Sequence, residues 1–376
     1  MVPGGVALAD RPAASHRPRV VPAARGRPRL FLIDGVRLAA ALMVVLHHYV
    51  GTRRADEPGN PIWGRPVSEI VPTWFRVASY GWIGVEVFFV VSGFVICMSC
   101  WGRTPRQFFV SRVIRLYPAY WFAVLFTTGV VALLPGVWER LPVREVLLNL
   151  TMLQQGSGVP HVDLVYWTLW SELRFYLLFL VVVATGLTYR RVVVFCCVWG
   201  AAAMLAPVAE FPLLVLVANP SGAWFFIAGL ALYLMYRFGQ DLLLWGILGM
   251  AYLMGQLELG ERVAYEQVSS WRGAFLIYSV FLLVMVAVAL GYADRVRARW
   301  LVTAGALTYP LYLVHYVAGT SLIARLRDVL DARLLVAMLV AGFLVLSWAV
   351  HRWVERPVGR VVKRGLDAAV VRGRGV

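Results

Sequence analysis

The sequence predicts an all-α fold, a polytopic integral membrane protein of about ten transmembrane helices. Three observations predict it. Hydrophobic residues make up 60% of the chain and charged residues 15%, at a mean hydropathy of +0.72, against roughly 45–50% and about 25% in soluble domains. Apolar runs long enough to cross a bilayer recur along nearly the whole length. The basic residues concentrate in alternate connecting segments, the distribution that fixes membrane orientation.

Residues 1–29 are rich in Pro, Ala and Arg, with Arg11, Arg17, Arg19, Arg25, Arg27 and Arg29. Little there could form a core, so the segment reads as a disordered basic cytoplasmic tail. It is not read as a signal peptide, because the apolar run after it is of spanning length and carries charges and histidines. Residues 30–355 form one transmembrane domain, with spans near 31–50, 81–100, 116–134, 167–186, 192–208, 221–236, 241–257, 273–291, 301–323 and 334–352. At roughly 20 residues per crossing, ten spans leave loops of ordinary length and require no separate soluble domain. Residues 356–376 close the chain as a second basic cytoplasmic tail, with Arg356, Arg360, Lys363 and Arg364.

With the N-terminus inside, the inner segments hold 23 basic and 5 acidic residues and the outer loops 11 and 12, a net of +18 against −1. The positive-inside rule therefore sets the orientation, and an even number of spans returns the C-terminus to the cytoplasm. The expected location is the inner (plasma) membrane, with membrane lipids as partners. The overall +16 is a topology signal; no zinc-finger spacing or soluble basic domain points to nucleic acid. Cys97, Cys100, Cys196 and Cys197 lie in or beside apolar runs and read as small hydrophobes, with no disulfide or metal site expected.

A charge at bilayer depth costs roughly 2.5–3.5 kcal/mol on insertion scales, so each one calls for a partner or a task. The first span carries Asp34, Arg37, His47 and His48. Eleven steps lead from Arg37 to His48, so the two share a helical face about 16 Å apart, while His47 is turned by about 100°. Asp34 precedes Arg37 by three residues and pairs with it locally; read alone, the two fit a helix cap at the inner boundary equally well. Glu86, Glu172 and His315 lie at similar outer depth in their spans, and a shared cavity with His48 is the expectation. Histidine suits proton transfer because its pKa of about 6.5 lies near working pH. At the inner mouth of the third span, Arg112 and Arg115 lie on adjacent parts of one face, able to grip phosphates with planar forks or to anchor among lipid headgroups.

Taken together, these segments resemble membrane acyltransferase family 3, which contains bacterial O-acetyltransferases of surface polysaccharides and acyltransferases of macrolides. Leu32-Ile-Asp34-Gly35-Val-Arg37 followed by His48 resembles its Arg, ten residues, His signature. Gly84-Val-Glu86-Val-Phe-Phe-Val-Val-Ser92-Gly93-Phe94 is similar to its second-span motif, with Glu86 where Asp is common. Arg112-Val-Ile-Arg115-Leu-Tyr-Pro118, Trp167-Thr-Leu-Trp-Ser-Glu172-Leu-Arg-Phe175-Tyr176, Tyr309-Pro-Leu-Tyr312-Leu-Val-His315 and Glu355-Arg-Pro357 follow in the family's order. Two features depart from it: Leu173 replaces a second acidic residue, and no hydrolase-like domain follows the last span, which implies that transfer is completed in the membrane domain or by a partner.

The resemblance implies transfer of an acyl group, commonly acetyl from acetyl-CoA, to a hydroxyl of a carbohydrate-containing acceptor. His48 is the expected base, with Glu86 or Glu172 orienting its imidazole. Arg112, Arg115 and Arg37 are expected to hold the CoA phosphates or polarise the thioester. Asp34 and His315 are further candidates. No bound cofactor is expected; acyl-CoA is a substrate. The rival acceptor is a macrolide or another small metabolite. The rival class is a transporter or lipid-linked sugar flippase, which also places His, Glu and Arg in the membrane, although the two halves show no internal repeat.

Overall fold

The computed structural model describes residues 30–296 and 298–373, so the predicted tail 1–29 lies outside the described residues. Within them the chain is all-α, with no strand. The long helices are α1 (Phe31–Val50), α2 (Ile83–Cys100), α3 (Pro105–Leu133), α4 (Trp167–Thr185), α5 (Tyr189–Ala209), α6 (Pro220–Phe238), α7 (Leu242–Glu266), α8 (Trp271–Ala289), α9 (Trp300–Val314), α10 (Tyr316–Leu326), α11 (Ala332–Val350) and α12 (Arg356–Gly373). Among the described residues nine helices are long and apolar enough to cross a membrane, or ten when the bent pair α9–α10 counts as one span. This is the predicted fold class, and the protein is a multi-pass membrane protein.

Helix α6 is the centre of the bundle, buried without interruption from Gly222 to Met235. It lies against α2 at backbone distance through paired glycines. A Cβ on Gly229 would strike the Val90 carbonyl, and one on Gly93 the Phe226 carbonyl, the small-residue seat that membrane helices use for close packing. Helix α1 is clasped between α2 and α9. At Gly305 of α9 a side chain would collide with the Asp34 carboxylate of α1. None of the four cysteines forms a disulfide among the described residues, and Cys197 is exposed.

Three spans differ from the hydropathy reading. Helix α3 starts at Pro105, well before the predicted 116, because Thr104 and Gln107 form a capping box and Pro105 has a φ suited to the first helical position; Arg106, Arg112 and Arg115 therefore ride on the helix. Helix α7 runs past the predicted 257 to Glu266. The predicted continuous span 301–323 is instead broken by a 67° bend between α9 and α10, at His315. The segment after the last span is helical: α11 passes through a π turn, His351–Glu355, into α12.

Candidate active site

The bend at His315 builds the site. The His315 ring is fully buried, and its Nδ1 faces the carbonyls of Leu311 (3.1 Å) and Tyr312 (2.9 Å). Those carbonyls only accept, so Nδ1 carries the proton and Nε2 of the neutral ring is a bare acceptor. His48 Nδ1 lies 2.8 Å from that Nε2 and must donate to it. The chain of donors therefore fixes the tautomer of His48 and leaves its Nε2 with no hydrogen-bond partner among the described residues. Tyr49 OH donates to the His315 carbonyl at 3.0 Å, and Tyr316 stacks on the His48 ring with centroids 4.1 Å apart. Asp163, fully buried, accepts from Val165 N (3.2 Å) and Val317 N (3.1 Å), pinning the first turn of α10 to the loop before α4. Burial pushes its carboxyl up to about 7 against the pull of those two N–H groups.

His48 lines a cavity of about 450 Å³ at the face where α1 ends, together with His47, Trp167, Arg262, Glu266 and Tyr316. Glu266 accepts from Arg262 Nε at 3.1 Å, and its other oxygen stands 3.9 Å from His47 Nε2. His47 Nδ1 donates to the Ala78 carbonyl at 3.1 Å, so this histidine ties α1 to the short helix Pro72–Ala78 that precedes α2. The cavity wall thus mixes aromatic faces with charges of both signs.

A second cavity, about 140 Å³, opens toward the opposite, basic face and holds Arg37, Arg112, Arg115 and Glu172. Glu172 accepts from Ser92 Oγ at 2.9 Å and from the Tyr176 hydroxyl. Arg37 stands 4.0 Å from Asp34, the local pair its spacing predicts. Arg115 lies 5.6 Å above the Tyr309 ring and 3.6 Å from Glu355, while Arg112 is 5.9 Å from the Phe108 and Tyr176 rings. Side chains in direct hydrogen bonding divide the two cavities. Tyr312 and Thr168 line the basic-face cavity, Val165 and Trp167 the other, and Tyr312 OH bonds Thr168 Oγ1 (2.8 Å) and the Val165 carbonyl (3.1 Å) across the seam.

The candidate residues therefore fall in two groups. His48 and His315 touch each other; Arg37, Arg112, Arg115 and Glu172 share the basic-face cavity. The expected single cavity for His48, Glu86, Glu172 and His315 does not form, and neither carboxylate hydrogen-bonds His48: Glu172 is held by Ser92 and Tyr176, and Glu86 is buried with Oε2 unpaired among the described residues. The orienting partner of His48 is a histidine. Sequence reasoning missed Arg262, Glu266 and Asp163. The first two sit beyond the point where hydropathy ends the seventh span, and Asp163 lies in a loop whose role depends on α10. Among the described residues no group of three or more His, Cys, Asp or Glu could hold a metal ion.

A family model described as an acyltransferase domain, Acyl_transf_3, matches residues 31–352, which include all of these side chains except Glu355. The chain belongs to this family. The acyltransferase is 26% identical over 397 residues to "Acyltransferase MdmB" of Streptomyces mycarofaciens, covering 92% of this chain and 94% of that one. It is also 36% identical over 107 residues to "Exopolysaccharide production protein ExoZ" of Rhizobium meliloti (strain 1021), covering 26% and 33% of the two chains. No solved structure matches it.

Proposed function

We propose that this acyltransferase takes an acyl group, in the first instance acetyl, from acyl-CoA at its basic, cytoplasmic face. It delivers the group to a hydroxyl of a carbohydrate-containing acceptor at the opposite face. The observation that carries the reading is the proton chain from His48 through His315 to two carbonyls, which leaves His48 Nε2 as a base at a cavity wall.

In this scheme His48 Nε2 removes the hydroxyl proton as the acceptor oxygen attacks the thioester carbonyl carbon. The carbon–sulfur bond then breaks, the ester leaves, and the imidazolium returns its proton to the departing CoA thiolate. His315 fixes the reactive tautomer and shares the transient positive charge, the part a carboxylate plays in a triad. The thioester reaches His48 from the Arg37 end, a distance of about 16 Å along α1, which suits an extended pantetheine arm crossing the Tyr312–Thr168 partition. Arg37, Arg112 and Arg115 face the donor. Trp167, Tyr265 and Tyr316, with Arg262 and Glu266 between them, give the far cavity the aromatic faces and polar edges that sugars need, and the exopolysaccharide relative supports the same acceptor class.

Mass spectrometry of envelope glycans, glycolipids and secreted metabolites from a strain lacking the protein tests the acceptor class. Loss of one glycan ester is expected, restored by the intact gene; loss confined to a non-glycosylated metabolite would overturn it. With the acceptor in hand and labelled acetyl-CoA, His48→Ala should lose turnover by about 10²- to 10⁴-fold. Substantial transfer by that variant at equal folded abundance would remove the assigned base.

A further inference from the structure

The closing helix carries cations that the transfer scheme does not use. Within the π turn His351–Glu355, His351 Nδ1 lies 2.5 Å from Glu355 Oε2, and Glu355 Oε1 lies 3.6 Å from an Arg115 nitrogen. That side of the turn is neutralised internally and tied to α3. The other side is not. Arg352, Arg356 and Arg360 follow at four-residue spacing, all exposed, and none forms an ion pair with a carboxylate among the described residues. Like charges at this spacing on a helix repel, so an unneutralised row is unfavourable unless an anion sits on it. Extra-residue turns of this kind concentrate at functional sites.

The row is also not simply turned outward. Arg352 and Arg356 line a vestibule of about 510 Å³ between α9, α11 and α12, with Trp348 in the same wall. The vestibule shares Arg37 and Arg115 with the basic-face cavity, so the two adjoin at these side chains. Arg360 extends the row into an adjoining hollow formed with Arg352 and Arg356. A cleft lined by the guanidinium forks of Arg37, Arg115, Arg352 and Arg356, one indole and His351, with its one carboxylate, Asp34, 4.0 Å from Arg37, fits phosphates attached to an aromatic base. Headgroups on the bilayer surface would need no such cleft.

We propose that this vestibule binds the phosphorylated nucleotide end of the acyl-CoA. Arg352, Arg356 and Arg360 hold its phosphates, Trp348 lies against the base, and the pantetheine arm passes Arg37 and Arg115 into the cavity beyond. The proposal rests on the acyl-CoA reading and extends it to a helix that hydropathy reads as a tail.

Binding separates the two ideas without an identified acceptor. Purified full-length protein in detergent is titrated calorimetrically with coenzyme A, adenosine 3′,5′-bisphosphate and pantetheine. Wild type should bind coenzyme A, and the bisphosphate should compete with it. The pair Arg352→Gln, Arg356→Gln should weaken coenzyme A by about tenfold or more, the scale of losing one or two charge-assisted contacts, and leave pantetheine unchanged. Coenzyme A binding that is unaffected by the pair overturns the vestibule site while the donor reading stands. Equal weakening of coenzyme A and pantetheine marks a general disturbance and also overturns it. Failure of wild type to bind coenzyme A overturns both.

Discussion

At the scale of single residues, His315 decides which nitrogen of His48 is free, because its own proton is committed to the Leu311 and Tyr312 carbonyls. Removing it leaves His48 able to rotate and to place its proton on either nitrogen, while the residues lining both cavities stay in place, since His315 lines neither. His315→Ala should therefore lower kcat by roughly tenfold to 10⁴-fold and change neither KM by more than about twofold, at matched folded abundance. A fall in donor or acceptor affinity with kcat intact would make His315 a packing residue. The adjacent histidines were distinguishable in sequence only by their angle on the helix. The structure adds that His47 is held by Ala78 O, so its loss reads out on stability. The shared outer depth of His48 and His315 was legible from their positions in two apolar runs. Their contact was not, because it joins residues 267 apart in sequence, and the carboxylates at similar depth were equally plausible partners until Ser92 and Tyr176 were seen to hold Glu172.

At the scale of helices, the α2–α6 seat tests whether close packing sustains the bundle. Gly229→Val must push against the Val90 carbonyl, which cannot yield without moving α2. It should lower thermal stability in detergent by the equivalent of about 1–3 kcal/mol or more. Gly246→Ala in α7, where a Cβ meets nothing within 4 Å, should be neutral or slightly stabilising. Similar melting temperatures for the two would show that the seat is slack. Most helices were legible because a bilayer demands long apolar runs: α1, α4 and α8 lie within two residues of their predicted limits at both ends. Where the reading slipped, hydropathy was answering a different question from helicity. Glu258, Glu261 and Arg262 end an apolar window without ending α7. The early start of α3 was written in Thr104-Pro105-Arg106-Gln107, a readable cap that a hydropathy window passes over. The bend at His315 had no local signature strong enough to predict it, since Asp163, more than 150 residues earlier, helps to hold it.

At the scale of the whole molecule, the two cavities open toward opposite faces, and the charge of the chain predicts which of them is the inner one. Arg37, Arg112, Arg115, Arg352 and Arg356 gather at one face, and the segments expected on that side carry a net of +18 against −1 on the other. Acyl-CoA is made and kept in the cytoplasm, so the donor reading requires the basic face to be the inner one, the same side that the positive-inside rule selects independently. The two arguments use different residues in part: Arg190 and Arg191 weigh in the charge count but line neither cavity. Reporter fusions at Gly102, between α2 and α3, and at Arg190, at the start of α5, should therefore read cytoplasmic. Fusions at Gly59 and Gly158, in the loops on the His48 side, should read external. A reversed pattern at all four would place the arginine-lined cavity outside the cell, beyond the reach of acyl-CoA, and the donor would have to be sought among external esters. Reversal at one site alone would leave the donor side intact and point to an error in the span beside it.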